Sequence, residues 1–261
     1  ENVKALLMQY LQNKGTVTTE DAAALLHVST ATVRRVFSRL AEDNKIMRFY
    51  GGIRLPAPSR HYEYTQFEQY MLQEKIAIGH YAASMVEEND FIFIDCGTTT
   101  IHMANALARR FEANTLKNVN IVTNSLMNLQ QLTPYTRNII LAGGEYITER
   151  KSFSGALTET FLQQFHFSKS FVGTESMTFK EGFMAANIQY SRLCHLVVEL
   201  ALQSFILMDS SKVGIPSFMV HNRLDQVSAL ITDDKISAEH LAKFHTRGLP
   251  VHVAKVDSLI P

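Results

Sequence analysis

The 261-residue chain has no net charge: 25 lysines and arginines balance 25 aspartates and glutamates. It therefore has no global field to draw in polyanions. It has little cysteine. Cys96 and Cys194 both sit in apolar surroundings and no CxxC pair occurs, which argues against a disulfide framework and for a reducing cytoplasm. No run approaches the ~18 apolar residues of a membrane span. The opening ENVKALL lacks the basic-then-apolar order of a signal segment, and because residue 1 is not Met a few upstream residues are expected. There is no internal repeat and no low-complexity tract. The histidines are dispersed: His240 and His245 lie five apart and no HExxH occurs, so no metal is expected. No GxSxG elbow or Walker loop is present. No cofactor is expected, and Cys96 reads as a small buried strand residue.

What is present is enough apolar sequence (46%) for a small domain and a medium one. The charge balance hides an asymmetry, because residues 1–55 hold eight basic and five acidic residues. A basic bias at one end fits nucleic-acid binding there. Val3, Leu6, Leu7, Tyr10 and Leu11 make one apolar helical face that stops near Gly15. Thr18 or Thr19 caps a second helix. After a break at Val28-Ser29, Ser29 or Thr30 caps a third, which runs to about Asp43. KIMRFYGGIRLP then reads as two short strands around Tyr50-Gly51-Gly52, a hairpin or wing.

On a helical wheel, Val33, Val36, Phe37 and Leu40 of the third helix share the inward side. Thr30, Ala31, Thr32, Arg34, Arg35, Ser38 and Arg39 are left for the outer face and its flanks. A small, polar, basic face of this kind enters a major groove, where Arg binds guanine bidentately and Thr, Ser or Ala meets a thymine methyl or a phosphate. Arg48, Tyr50 and Gly51 on the wing would lie near the DNA backbone. A lone basic helix is more often a solvated surface. The coincidence of three helices, a short turn and a glycine hairpin favours double-stranded operator DNA.

Residues 28–52, VSTATVRRVFSRLAEDNKIMRFYGG, resemble the winged helix-turn-helix head of the DeoR family of bacterial transcription regulators. Val28, Ser29, Thr32, Val33, Arg34, Arg35, Leu40, Arg48, Gly51 and Gly52 match its pattern. Val36 departs from the family's Asp, Asn44 from its Gly and Tyr50 from its His. Val36 removes a carboxylate that would orient an arginine.

Residues 56–65, PAPSRHYEYT, read as a linker between a 1–55 head and a 66–261 body. A long helix is expected over 66–88. Strands follow near 91–96, 119–123, 138–142, 168–172, 204–209, 228–232 and 250–254. Helices near 99–110, 125–132, 157–165, 187–203 and 236–246 lie between them, which implies an α/β body with a mostly parallel sheet. Five of these strands end in small polar residues: IDCGTTT, VTNS, LAGGE, FVGTES and MDSSK. In such sheets ligands sit beyond the carboxyl ends of strands, and a helix N-terminus offers free N–H groups to an anion. The candidate effector residues are Asp95, Gly97, Thr98, Thr99, Thr100, Asn124, Ser125, Gly143, Gly144, Gly173, Glu175 and Lys212. Lys151 and Gly155 form a flap. Five independent turns would be a less economical account.

Residues 91–234 are similar to the effector-sensing domain of the same family, in IDCGTTT, VTNS, LAGGE, SFSGAL, FVGTES, EGF and DSSKVG. That resemblance implies a fold related to ribose-5-phosphate isomerase and the CoA transferases. It further implies a cytoplasmic homo-oligomer, dimer or tetramer, that represses a sugar-catabolic operon under control of a phosphorylated sugar. The body departs from the family at Thr174-Glu175-Ser176, Tyr190 and Cys194. Two other readings remain open: an isomerase-like enzyme, for which Glu175 and Lys212 are candidates, and a body that only oligomerises. In the family reading, contacts through the body and the 66–88 helix set the spacing of two heads on a palindromic or repeated operator.

Overall fold

The computed structural model describes residues 6, 7, 10, 11, 16–42, 46–49, 51–54 and 62–256. The chain divides into two compact units, Glu1–Met71 and Leu72–Pro261. Residues 66–71 therefore cluster with the first unit, and residues 56–61 of the expected linker lie outside the described residues.

In the first unit, Leu6, Leu7, Tyr10 and Leu11 are helical. The helix Thr19–Leu26 is capped by the Thr18 hydroxyl, which accepts from Asp21 N at 3.0 Å, and it ends at left-handed His27. Ser29 Oγ accepts from Thr32 N at 3.3 Å and starts the helix Thr30–Glu42. The strands Met47–Phe49 and Gly52–Arg54 pair antiparallel, and Thr16–Thr18 pairs on the far side of Gly52–Arg54. Gly51 closes the hairpin at φ 89°, where a side chain would be strained. One core holds the unit together: Leu7, Leu11, Val17, Ala22, Val33, Phe37, Leu40, Ile46 and Ile53.

The second unit is built on seven parallel strands, β1 (Phe91–Ile94), β2 (Asn120–Thr123), β3 (Ile139–Leu141), β4 (Phe167–Gly173), β5 (Ala201–Leu207), β6 (Ala229–Asp233) and β7 (Val251–Ala254). Their order across the sheet is β7-β6-β5-β4-β1-β2-β3. Alternation along the strands separates two cores. Ile92, Ile94, Phe171, Phe205 and Leu207 pack with the helices Leu72–Ser84 and Thr100–Glu112. Phe93, Val172 and Ile206 pack with Ile188–Glu199 and with Phe244 of Ala238–Thr246.

All seven strands fall where the apolar runs predict them. Two helices do not. The expected 66–88 helix is a short turn, Tyr64–Phe67, then Met71 at φ 53°, then Leu72–Ser84. The left-handed Met71 breaks the hydrogen-bond ladder. The expected 187–203 helix stops at Glu199, because Phe167 N claims the Leu200 carbonyl at 2.8 Å and Ala201 pairs with Phe167 to open β5. Sheet pairing overrides helical propensity there. Two antiparallel elements also interrupt the alternation: the hairpin Glu145–Ile147/Ser152–Ser154, and a small sheet of Ser176–Thr178, Gly182–Ala185 and Met219–Asn222.

Candidate functional site

The helix Thr30–Glu42 turns Val33, Phe37 and Leu40 into the core, with Val36 half-buried at its edge. Thr30, Ala31, Thr32, Arg34, Arg35 and Arg39 are all exposed. Ser38 is half-buried and its hydroxyl donates to the Arg34 carbonyl at 3.0 Å. The outer face is thus small and basic. Gly51 is exposed at the tip of the hairpin. Tyr50 and Asn44 lie outside the described residues, as does the side chain of Arg48.

In the second unit, every strand of the sheet points its carboxyl end to the same edge, because all neighbouring pairs are parallel. At the end of β1 the chain turns through Gly97 into the helix Thr100–Glu112. Thr98, Thr99 and Thr100 are at most 4% exposed. Thr100 Oγ1 donates to the Gly97 carbonyl at 3.2 Å, but no side chain caps this helix. Its end therefore keeps the positive partial charge of a helix N-terminus.

Asp95 is fully buried beside this turn. Its Oδ2 accepts from Tyr190 Oη at 2.7 Å and from Gly173 N at 3.1 Å. Burial, opposed by those hydrogen bonds, raises the Asp95 carboxyl to about 6. Burial also raises the Tyr190 phenol well above its ordinary value, with the Asp95 charge adding to the effect. The Arg150 guanidinium lies 3.8 Å over the Tyr190 ring and is ion-paired to Glu175, whose other oxygen accepts from Ala186 N at 2.7 Å. Asp95, Gly173 and Glu175 thus meet around Arg150 and Tyr190. Lys151 is one of the residues expected from the sequence to form a flap. In the structure Lys151 is a half-buried left-handed residue whose carbonyl accepts from Leu126 N at 3.1 Å, while its neighbour Arg150 is the buried cation.

The hairpin carrying Arg150 is tied to β2, since Asn124 Nδ2 donates to the Phe153 carbonyl at 3.1 Å. Ser125 caps the next helix, accepting from Asn128 N at 3.2 Å, and Asn128 Nδ2 reaches the Asp95 carbonyl at 3.0 Å. Gly143 accepts from Thr158 Oγ1 at 2.9 Å, and a Cβ on Gly144 would collide with that hydroxyl. Gly155, at φ 95°, lies against the Glu145 carboxyl. These three glycines shape the hairpin base.

On the other side, Asp209 follows the end of β5 by two residues and is fully buried. Lys212 Nζ donates to the Thr174 carbonyl at 2.8 Å and lies 3.6 Å from Asp209. Burial alone would raise the Asp209 carboxyl, but Lys212 and Lys75 hold it below its ordinary value. Lys75 was not foreseen. It is 1% exposed on the helix Leu72–Ser84, and burial lowers its amine to about 7 despite the opposing pull of Asp209. A lysine in register with Ile78 and Ala82 on a buried helix face was the signal to read. His102, near Lys75, is lowered to about 4 by burial and then by that lysine.

Three oxygens at this edge are buried without a hydrogen-bond partner, Asp95 Oδ1, Asn124 Oδ1 and Asn128 Oδ1, and Asp209 Oδ2 has only its ion pair with Lys212. Buried acceptors without donors are costly, and several at one edge suit a ligand rich in hydroxyl donors. Two grooves lie elsewhere, one of about 480 Å³ beside His80 and Arg109 and one of about 330 Å³ beside Phe179 and Arg223. Among the described residues no group of three or more His, Cys, Asp or Glu is placed to hold a metal, and no helix is long and apolar enough to cross a membrane.

Comparison with known proteins agrees with this division. Residues 4–59 match the DeoR-like helix-turn-helix domain, and residues 71–234 match the DeoR C terminal sensor domain. The chain is 31% identical over 245 residues to the lactose phosphotransferase system repressor of Streptococcus mutans, covering 91% of this chain and 94% of that protein. It is 27% identical over 250 residues to the HTH-type transcriptional regulator IolR of Bacillus subtilis, covering 94% and 96%. Among solved structures it is similar to ribose 5-phosphate isomerase from Plasmodium falciparum, at TM-score 0.40 and 14% identity over 53% of this chain and 52% of that one. It is also similar to eIF2B delta from Chaetomium thermophilum, at TM-score 0.45 and 12% identity over 88% and 69%.

Proposed function

The chain belongs to the DeoR family of DNA-binding transcription regulators, and from that premise we propose that it represses a carbohydrate-catabolism operon under control of a phosphorylated sugar held at the strand ends of its second unit. The named relatives are regulators, so the isomerase reading is not favoured. The observation that carries the proposal is the pairing at one sheet edge of an uncapped helix N-terminus with three unpartnered buried acceptors, Asp95 Oδ1, Asn124 Oδ1 and Asn128 Oδ1. The first suits a phosphoryl group and the second suits sugar hydroxyls. A ligand of one charge type only would leave half of this edge unsatisfied.

In this reading the exposed face of Thr30–Glu42 enters the major groove. The protein works in the cytoplasm as a homo-oligomer, dimer or tetramer, so that two heads engage two half-sites. The sugar phosphate changes operator affinity only by its differential affinity for the DNA-competent and incompetent states. A thermal-shift panel of pentose and hexose phosphates against their unphosphorylated parents tests the sensor. A ligand at ~100 times its Kd adds ~2.7 kcal/mol to the state it binds. The proposal expects a shift with one phosphorylated sugar and none with its parent. No shift across the panel overturns it.

A further inference from the structure

His221 is buried and titratable, and nothing in the sensor reading uses it. It lies on the edge strand Met219–Asn222 of the small antiparallel sheet, with its ring stacked on Phe183 at 6.3 Å between centroids. Its Nε2 stands 2.9 Å from Thr174 Oγ1. That hydroxyl also lies 3.0 Å from the Ser176 carbonyl and 3.1 Å from the Met184 carbonyl. A hydroxyl has one hydrogen, and both carbonyls only accept. Were Nε2 an acceptor too, three acceptors would face one hydrogen. Nε2 therefore carries a hydrogen and donates to Thr174, whose own hydrogen serves the two carbonyls.

The other ring nitrogen gives the same answer. Burial lowers the His221 imidazole to about 4; the Asn222 hydrogen bond opposes this, and His195 and Arg150 add to it. The ring is thus neutral at pH 7 and Nδ1 is left to accept. Asn222 Oδ1 stands 2.9 Å from that Nδ1, and Asn222 Nδ2 stands 3.4 Å from His195 Nδ1. His195 Nδ1 must itself donate, because its nearer partner is the His221 carbonyl at 2.9 Å. A half-turn of the Asn222 carboxamide, which exchanges its oxygen and nitrogen, satisfies both rings at once.

We propose that His221 is a positioning residue of the effector site: its Nε2–H fixes Thr174 and so aims the groups on either side of it. Thr174 is gripped at both polar ends, since its carbonyl accepts from Lys212 Nζ at 2.8 Å while its hydroxyl is held by His221. After it comes Glu175, which ion-pairs with Arg150 and accepts from Ala186 N at 2.7 Å. Before it comes Gly173, whose N–H donates to Asp95 Oδ2 and whose carbonyl accepts from Tyr190 Oη, both at 3.1 Å. Lys212 and His221 belong to one stretch of chain, tied again to the strand end where Gly214 N donates to the Met177 carbonyl at 2.9 Å. His221 acts through Thr174 and touches no ligand itself. Without the tie Thr174 is free to turn, which takes its carbonyl from Lys212 and Glu175 from Arg150. The inference rests on the phosphorylated-sugar reading above and adds what holds the fourth strand end in place for it.

The test uses the full chain. Ring ¹H–¹⁵N correlation spectra of the ligand-free wild type read the tautomer without any substitution: Nε2–H at His221 is expected, and Nδ1–H overturns the proposal. Calorimetry with the pentose or hexose phosphate that scores in the panel then compares Thr174→Val, His221→Phe and the double variant with the wild type. Each single variant should bind about tenfold more weakly, the worth of one buried hydrogen bond. The double variant should bind no more weakly than either, because both remove the same bond. His221→Gln, which carries an N–H at the reach of Nε2, should restore most of the affinity, and His221→Asn, which does not, should fail to. Should His221→Phe not fold, Thr174→Val and the Gln and Asn pair decide the matter. Wild-type affinity in Thr174→Val, losses that multiply in the double variant, or equal losses in Gln and Asn overturn the role of His221 while the sensor reading stands. If the wild type responds to no phosphorylated sugar, the sensor reading fails and takes this inference with it.

Discussion

Asp95 shows what a single residue costs at this edge. Its folded-state value lies near 6, above the 3.8 of an ordinary aspartate. An acid raised on folding favours the protonated folded state. Its contribution is full below pH 4 and lost as pH rises through 6, which at ~1.4 kcal/mol per pKa unit is roughly 2–3 kcal/mol. Asp95→Asn keeps a side-chain oxygen for Tyr190 and Gly173 but removes the buried charge. The ligand-free variant should therefore melt above the wild type at pH 8, with the gap closing toward pH 4, while its response to the sugar phosphate falls. Melting curves across that range decide it, and a variant less stable at pH 8 refutes the account. Residues at this scale were unevenly legible. Asp95 and the threonines announced themselves because polar residues directly follow an apolar run. Arg150 did not, because Glu149, Arg150 and Lys151 are adjacent charges and only the hairpin geometry selects which one is buried. Lys75 hid inside a helical pattern in which a lysine normally points to solvent.

At the scale of elements, the strands were legible because burial on both faces leaves continuous apolar runs, and burial needs no partner to be read. The hairpin over the site and the small antiparallel sheet were not, because their strands are only three or four residues long and pairing is decided by distant strands, as between Gly182–Ala185 and Met219–Asn222. Helix contacts are likewise invisible to periodicity. Gly79 looks like a helix-weakening residue, yet its missing side chain sets how closely two helices approach. Gly79→Ala gains ~1 kcal/mol of helix propensity. Its methyl would meet backbone atoms at 2.5–2.6 Å, which cannot yield as a side-chain tip can. The expected net effect is a loss of ~2 kcal/mol. Denaturant unfolding measures that loss. An unchanged midpoint would place the crossing elsewhere. In the head, Arg35 is exposed on the recognition face. Arg35→Ala should cost ~1–3 kcal/mol of discrimination between operator and scrambled DNA. Arg34, on the flank, should instead contact phosphate, so its removal lowers the salt slope by ~1 with little loss of discrimination. Competition binding at several salt concentrations separates the two, and equal losses on operator and scrambled DNA would remove Arg35 from base reading.

At the scale of the whole molecule, the chain joins a basic reader with a polar-edged sensor, and its function is the free energy that couples them. The two units hold separate cores, so each can keep its own fold while the other changes state. Coupling of this kind is reciprocal. If saturating sugar phosphate weakens operator binding by some factor, saturating operator must weaken sugar-phosphate binding by the same factor, typically 5–150-fold. Fluorescence anisotropy of labelled operator, with and without the ligand, gives one arm. Calorimetry of the ligand, with and without operator, gives the other, and both are run on the full chain at one pH and one salt concentration. The operator arm needs fixed salt because phosphate contacts make DNA affinity steeply salt-dependent. The ligand arm needs fixed pH because Lys75 and Asp95 change charge between about 6 and 7. Equal factors place the ligand and the DNA on one two-state equilibrium. A ligand that shifts operator affinity while the operator leaves its binding untouched competes for the DNA or acts at another site, and the strand-end sensor then loses its regulatory role.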